Sequence, residues 1–205
     1  MLDTPGIKEA CEDVRATFLE PACGDGNFLL AIFERKLESV IVHYDKRYWK
    51  TKSLVALSSI YGIELLEDNL EVARSRLFLY YLDWYEEVFG TKLTARSDIY
   101  KSAHYLIHTN IVRGNALTQT HPDTGEAIRF CEWQLVKGHP SKVRKISFTL
   151  SDLLGKTAVE NDRTIAVGQM SFFDMDDGFM ADDKPINDAH KTNEIAIQHV
   201  YQLGE

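Results

Sequence analysis

Apolar positions along the chain alternate between short continuous runs and stripes at helical spacing. Residues 6 to 15 read as a short helix leading into Thr17-Phe18-Leu19, an apolar run predicted as the first strand. A glycine-containing loop follows. From Asn27 to Val40, Phe28, Leu29, Ile32, Phe33 and Leu37 recur as one face of a helix. His43 to Lys52 predicts a basic, aromatic loop, and Leu54 to Ile63 a second buried strand. Asp68 and Glu71 have the spacing of a capping box. Beyond them Leu70, Ala73, Leu77, Tyr81, Trp84 and Val88 mark one face of a long helix that Gly90 ends.

Residues 98 to 108 predict a further helix and Asn110 to Val112 a third short strand. Strands alternating with helices imply βαβ units and a mainly parallel sheet. From Ile128 to Val136 and from Val143 to Leu150 the pattern turns to two strands around Gly138-His139-Pro140, a hairpin. Residues 174 to 205 are acidic with little periodicity and read as a loosely docked tail. The expected organisation is one domain over residues 1–155, including a hairpin at 127–150, followed by a C-terminal tail at 156–205.

Composition changes this picture little. Apolar residues make up 44% and charged residues 26%, an ordinary globular mixture. No apolar run approaches the roughly 18 residues of a membrane span, and no basic-then-apolar leader opens the chain. Cys11, Cys23 and Cys131 have no metal-ligand spacing, so no metal is expected and a reducing cytoplasm suits them. The net charge is -8, but residues 174 to 205 hold -6 of it. The nearly neutral body speaks neither for nor against nucleic acid.

The sharpest signal is Phe18-Leu19-Glu20-Pro21-Ala22-Cys23-Gly24-Asp25-Gly26-Asn27-Phe28-Leu29. A strand runs into a Gly-x-Gly turn that opens a helix, so backbone can approach a charged ligand closely and the helix start offers free N–H groups. The string resembles the first motif of the amino-group (adenine) DNA methyltransferases, with Glu20 for the usual Asp and Asp25 for the usual Ser. Tyr61-Gly62-Ile63-Glu64-Leu65, followed by Asp68 to Arg74 with its Ala73-Arg74, is similar to that family's second motif. Gly114-Asn115-Ala116-Leu117 after the third strand is similar to its third. The resemblance implies a Rossmann-like class I α/β fold, its sheet mainly parallel with flanking helices and left short in its second half. It also implies S-adenosylmethionine as cofactor. Glu20, Ala22, Cys23, Gly24 and Gly26 would wrap the methionine part. Glu64 would take the ribose hydroxyls, Leu65 would lie beside the adenine, and Asn115 with Ala116 would meet its amino group.

The resemblance stops at the fourth motif, Asp/Asn/Ser-Pro-Pro-aromatic, which carries the family's chemistry on a flipped base. Pro5, Pro21, Pro122, Pro140 and Pro185 include no adjacent pair, so the catalytic residues are not assigned. Glu132-Trp133 is a conceivable degenerate substitute, although Trp133 reads better as a core or hairpin residue. The resemblance implies a bacterial or phage restriction-modification protein acting on DNA, working alone or with a partner subunit that completes the site. The alternative is a non-catalytic cofactor-binding module. Starting so close to the first motif, the chain also reads as a fragment or a split subunit.

Three weaker features remain. His43 to Lys50 mixes cations with aromatics, which suits phosphate and base contacts or, preferably, a solvated insertion. Lys137, His139, Lys142, Arg144 and Lys145 raise the same choice on the hairpin. Gln169-Met170-Ser171-Phe172-Phe173 resembles the short peptide by which bacterial DNA-associated proteins dock on the sliding clamp.

Overall fold

Three short strands, β1 (Phe18–Glu20), β2 (Ile60–Glu64) and β3 (Ile111–Arg113), form a parallel sheet in the order β1-β2-β3. This is a computed structural model, and it describes residues 2–160 and 194–204. Phe18 pairs with Ile60 and Gly62 with Ile111, so β2 is central. Every residue of β2 is buried, which is how the middle strand of a parallel sheet covered on both faces reads.

The crossovers are helical. Helix α1 (Ile7–Glu12) precedes β1, and α2 (Asn27–His43) and α3 (Trp49–Ser58) lie between β1 and β2. Between β2 and β3 run α4 (Glu67–Phe89) and α5 (Asp98–Asn110). Gly90, at φ 68, closes α4 in the left-handed conformation that glycine tolerates. One face of the sheet packs on α2 so closely that a Cβ on Gly62 would sit 2.7 Å from Cδ1 of Leu29. The opposite face meets a hairpin of β4 (Arg129–Leu135) and β5 (Lys142–Thr149), continued by α6 (Leu150–Glu160). There Tyr61 and Ile63 pack with Ile128, Phe130, Leu150 and Leu153. The result is a mixed α/β fold with helices on one face of the parallel sheet and an antiparallel ribbon on the other.

Lys36 is wholly buried in α2, and its ammonium donates to the carbonyls of Asp13 (2.7 Å) and Ala16 (2.6 Å). It thereby ties the α1–β1 linker to the helix. Burial pulls its pKa down from the ordinary lysine value to about 7.

Several sequence expectations need correction. The apolar run from Leu54 is not the beginning of a strand: Leu54 to Leu57 belong to α3, and the strand starts at Ile60. All four side chains are buried, and an apolar run without alternation looks the same whether it is a buried strand or a buried helix. The loop expected over His43 to Lys52 is the end of α2, a 3-10 turn (Lys46–Tyr48) and the first turn of α3. Asp68 and Glu71 make no capping box, because Leu66 is the N-cap and Glu71 pairs with Arg74 at 2.7 Å.

Residues 194–204, expected within the tail, form part of the fold. Strand β6 (Glu194–Ala196) pairs antiparallel with β5, and a 3-10 segment (Ile197–Gly204) buries Ile197 and Val200 completely. Arg144 of β5 meets the Glu194 carboxylate, which secures the docking. Gln169 to Phe173 lies outside the described residues. Among the described residues no helix is long and apolar enough to cross a membrane, and no group of His, Cys, Asp or Glu could hold a metal ion.

Candidate functional site

The exits of the three parallel strands lie side by side, and the chain places its three glycine-bearing signals there. The turn after β1 is Pro21 to Gly26. Gly24 and Gly26 have φ of 53 and 80, values that a side chain tolerates poorly. Gly26 has a second reason to lack a side chain, since a Cβ there would meet the Cβ of Ala73 on α4 at 2.9 Å. The Ala73-Arg74 pair is therefore structural on both counts: Ala73 admits the glycine turn, and Arg74 Nε donates to the Ile111 carbonyl at 2.9 Å.

Backbone and side-chain bonds fuse the exits into one unit. Cys23 N–H donates to the Ile63 carbonyl at 2.9 Å, and Gly114 N–H to the Glu64 carbonyl at 2.9 Å. The Glu64 carboxylate is nearly buried and accepts from Gly24 N–H (2.8 Å) and Leu66 N–H (2.9 Å). Gly114 leaves no space for a side chain, because Ile128 Cδ1 would lie 2.4 Å from an added Cβ. Glu20, Ala22, Cys23, Gly24, Gly26, Glu64, Leu65, Asn115 and Ala116 are thus brought to one end of the sheet. In open α/β sheets that end is where ligands bind.

The electrostatics of the site are uneven. Glu20, at the end of β1, has one carboxylate oxygen buried with no hydrogen-bond partner among the described residues. Burial pushes its pKa up to about 6. Cys23 is an inert buried thiol, its pKa raised to about 12 by burial and then by the Glu20 and Glu64 charges. Leu65, Leu66 and Leu117 are exposed at the exits of β2 and β3, with Leu117 at 94%. These three exposed leucines give that end of the sheet an apolar rim.

Asn115 and Asp25 are held by neighbours within the fold, and two arginines complete the site. The Asn115 side-chain oxygen accepts from Leu117 N–H (2.9 Å) and Thr118 N–H (3.3 Å), so it shapes its own loop. Both lone pairs of that oxygen are engaged. Asp25 is clamped between Asn27 Nδ2 (2.6 Å) and the Arg76 guanidinium (2.8 Å), which also reaches the Asp25 carbonyl. Arg113 links the exits of β2 and β3 by donating to the Leu65 carbonyl (3.3 Å) and Asp123 (2.6 Å). Neither Arg76 nor Arg113 carries a local sequence signal, because each acts on a residue distant along the chain.

Other sequence candidates lie away from this end. Trp133 is buried beside Tyr105, ring centres 5.9 Å apart, and so belongs to the core. Lys145 Nζ donates to Tyr105 Oη at 2.7 Å and lies over the Trp133 ring, so its charge is used within the fold. Lys46 and Lys50 both lie over Phe89, at the far end of α4 from the glycine turn. These cation–aromatic contacts consolidate the start of α3.

The family model for the MmeI DNA-methyltransferase domain matches residues 11–128. No curated protein and no solved structure gives a significant match. The matched span runs from the end of α1 to the residue before β4. It includes all three strand exits and leaves out the hairpin.

Proposed function

Since the chain belongs to the family of the MmeI DNA-methyltransferase domain, we propose that it is the cofactor-holding part of an S-adenosylmethionine-dependent, adenine-type DNA methyltransferase of a restriction-modification system, built on the first half of a Rossmann-like sheet. The observation that carries this reading is the convergence of the Gly24–Gly26 turn, Glu64 and the Asn115 loop at one end of the parallel sheet.

The residues present fit the cofactor. The buried Glu20 oxygen, without a partner among the described residues, is an acceptor suited to a cationic ammonium, such as that of the methionine part. Glu64 keeps further lone pairs after accepting from two backbone N–H groups, and these would receive the ribose hydroxyls. Leu65 and Ala116 would wall the adenine, with Asn115 holding the loop that presents Ala116. When bound, S-adenosylmethionine supplies an electrophilic methyl group on its sulfonium. The chain's own work is to bind and orient, and effective positioning is a large share of such catalysis.

A second reading is a non-catalytic cofactor-binding module. It draws on the absence of adjacent prolines and on the burial of Trp133 away from the site. Two measurements separate the readings. Calorimetric titration of S-adenosylmethionine should give micromolar binding that weakens roughly 10-fold or more in Glu64→Ala, as loss of a charge-assisted hydrogen bond implies. No binding by the folded wild type would remove the cofactor reading altogether. Tritiated methyl transfer to DNA then decides activity: label on adenine supports the enzyme, and none with or without partner chains supports the module.

A further inference from the structure

Leu117 stands in a loop that the chain fastens from several sides. Asn115 N–H donates to the Thr120 carbonyl (2.9 Å) and Gln119 N–H to the Asn115 carbonyl (2.8 Å), which closes the loop after β3. Inside it, the Asn115 side-chain oxygen accepts from the N–H groups of Leu117 and Thr118, and the Thr118 and Thr120 hydroxyls meet at 2.9 Å. Gln119 has φ 61, the one non-glycine residue at positive φ among the described residues. Such a conformation persists only where its surroundings over-determine it. Here Ile128 N–H donates to the Gln119 carbonyl (3.0 Å) and the Ser151 hydroxyl to its side-chain oxygen (2.6 Å). All these bonds present a leucine that the described residues leave 94% exposed.

A lone surface leucine needs no explanation. This one is set apart by its mount and its place. The described fold gains little from fixing a side chain that touches almost none of it, so the fixed geometry serves something outside. Ala116, the residue before it, would wall the cofactor's adenine, which puts Leu117 at the rim of the proposed pocket. A free cation is mounted on the same frame. Arg129 follows Ile128, whose N–H is bound to Gln119, and its exposed guanidinium has no hydrogen bond or ion pair among the described residues. A fixed apolar side chain with a free guanidinium fits a ligand that is apolar inside and anionic along its edge. Duplex DNA with one base turned out is such a ligand: the faces of the neighbouring bases wall the vacated step, and phosphates flank it.

We infer that Leu117 is a wedge that enters the base stack of the DNA and holds open the step from which the target base is turned out, with Arg129 on a flanking phosphate. The inference rests on the proposed methyltransferase reading, since a base inside the duplex is out of reach of the cofactor. Leu117 is thereby a positioning residue. It touches the neighbours of the target base rather than the transferred methyl. Its side chain replaces the stacking that the departed base gave up, and a loop fixed beforehand loses little conformational freedom on binding.

The test is binding of the full chain, with S-adenosylmethionine present, to two short duplexes of one sequence, one intact and one with a single abasic site, read by fluorescence anisotropy. A wedge favours the duplex whose step is already vacant. The expected result is about 10-fold tighter binding of the abasic duplex, a preference that falls to about 2-fold or less in Leu117→Ser and persists in Leu117→Met. Arg129→Ala should weaken both duplexes alike and lower the salt slope of log Kd by about 1. Val72→Ser, at an exposed position of α4, should match the wild type. No abasic preference, a preference that survives Leu117→Ser, or no DNA binding overturns the inference. The urea midpoint of Leu117→Ser should equal that of the wild type. If it falls, a benzophenone amino acid in place of Leu117 decides: crosslinks to the bases flanking the vacant site are expected, and their absence overturns the inference. Calorimetry with S-adenosylmethionine separates the two ideas. Leu117→Ser should bind the cofactor as the wild type does, and weaker binding would put Leu117 in the cofactor pocket and overturn the wedge. Cofactor binding without an abasic preference defeats the wedge and leaves the cofactor reading intact.

Discussion

Glu64 accepts a 2.8 Å hydrogen bond from the backbone N–H of Gly24, so an acid at the end of β2 fixes the turn at the end of β1. Its other oxygen accepts from Leu66 N–H at the start of α4. The carboxylate thus serves the ligand-free fold before it serves any ligand. Glu64→Gln turns an amide donor toward one of these N–H groups. The variant should lose about 1–3 kcal/mol of unfolding free energy with no cofactor present, measured by urea denaturation. Unchanged stability would mean that the two bonds contribute nothing to the fold.

Gly26→Ala adds a Cβ at a positive φ and 2.9 Å from the Ala73 Cβ. Overpacking and backbone strain together should cost about 1–3 kcal/mol. Ala73→Gly in the same chain should recover the steric part only. Denaturation of the single and double variants forms the cycle, and strict additivity would show that the two positions do not meet.

Arg76 and Asp25 are both partly exposed, so their pair is a weak source of stability. Arg76→Ala should shift unfolding by about 0.5 kcal/mol or less. It should nevertheless weaken S-adenosylmethionine binding several-fold, because the clamp orders the turn rather than the core. Equal loss of stability and affinity would make the residue merely structural.

Lys36 has a folded pKa of about 7, below the ordinary lysine value of 10.5 that the unfolded chain keeps. Between these limits the unfolded state binds more protons, so stability should rise as pH climbs from 7 toward 10.5 and level off below 7. Lys36→Met should remove that slope. Urea midpoints of both proteins at pH 7 and pH 9 provide the check.

Glu20 behaves with the opposite sign. Its folded pKa of about 6 exceeds the usual 4.5, so its contribution to the ligand-free fold is full below 4.5 and fades as pH rises through 6. Binding of a cationic group needs the ionised acid. S-adenosylmethionine affinity should therefore increase about tenfold between pH 5 and pH 7.5, and Glu20→Gln should flatten the dependence. A flat wild-type profile would remove Glu20 from the proposed contacts.

The site was more legible in the sequence than its surroundings were. Gly24-Asp25-Gly26, Glu64 and Gly114-Asn115 stand where short apolar strands end, most of them in glycine turns, a pattern that a short string of sequence carries. Leu54 to Leu57 misled because a helix buried all round has no polar face to show its period. The position of Arg76 over Asp25, and of Ile128 against Gly114, depends on residues far apart in sequence. Residues 194–204 look like the end of an acidic stretch, yet Ile197 and Val200 are wholly buried. Two apolar anchors in a polar run outweigh composition once a sheet edge is available.

One peptide unit is fastened in an unusual way. Cys131 of β4 has its N–H bound by the Asn110 side chain at 3.0 Å and its carbonyl by the Tyr61 hydroxyl at 3.3 Å. The margin of β4 away from β5 is thereby sealed at this point by side chains, which offer no register for a further strand to follow. Strand addition along β4 is disfavoured at that point even in a crowded cell, because both backbone groups are already engaged.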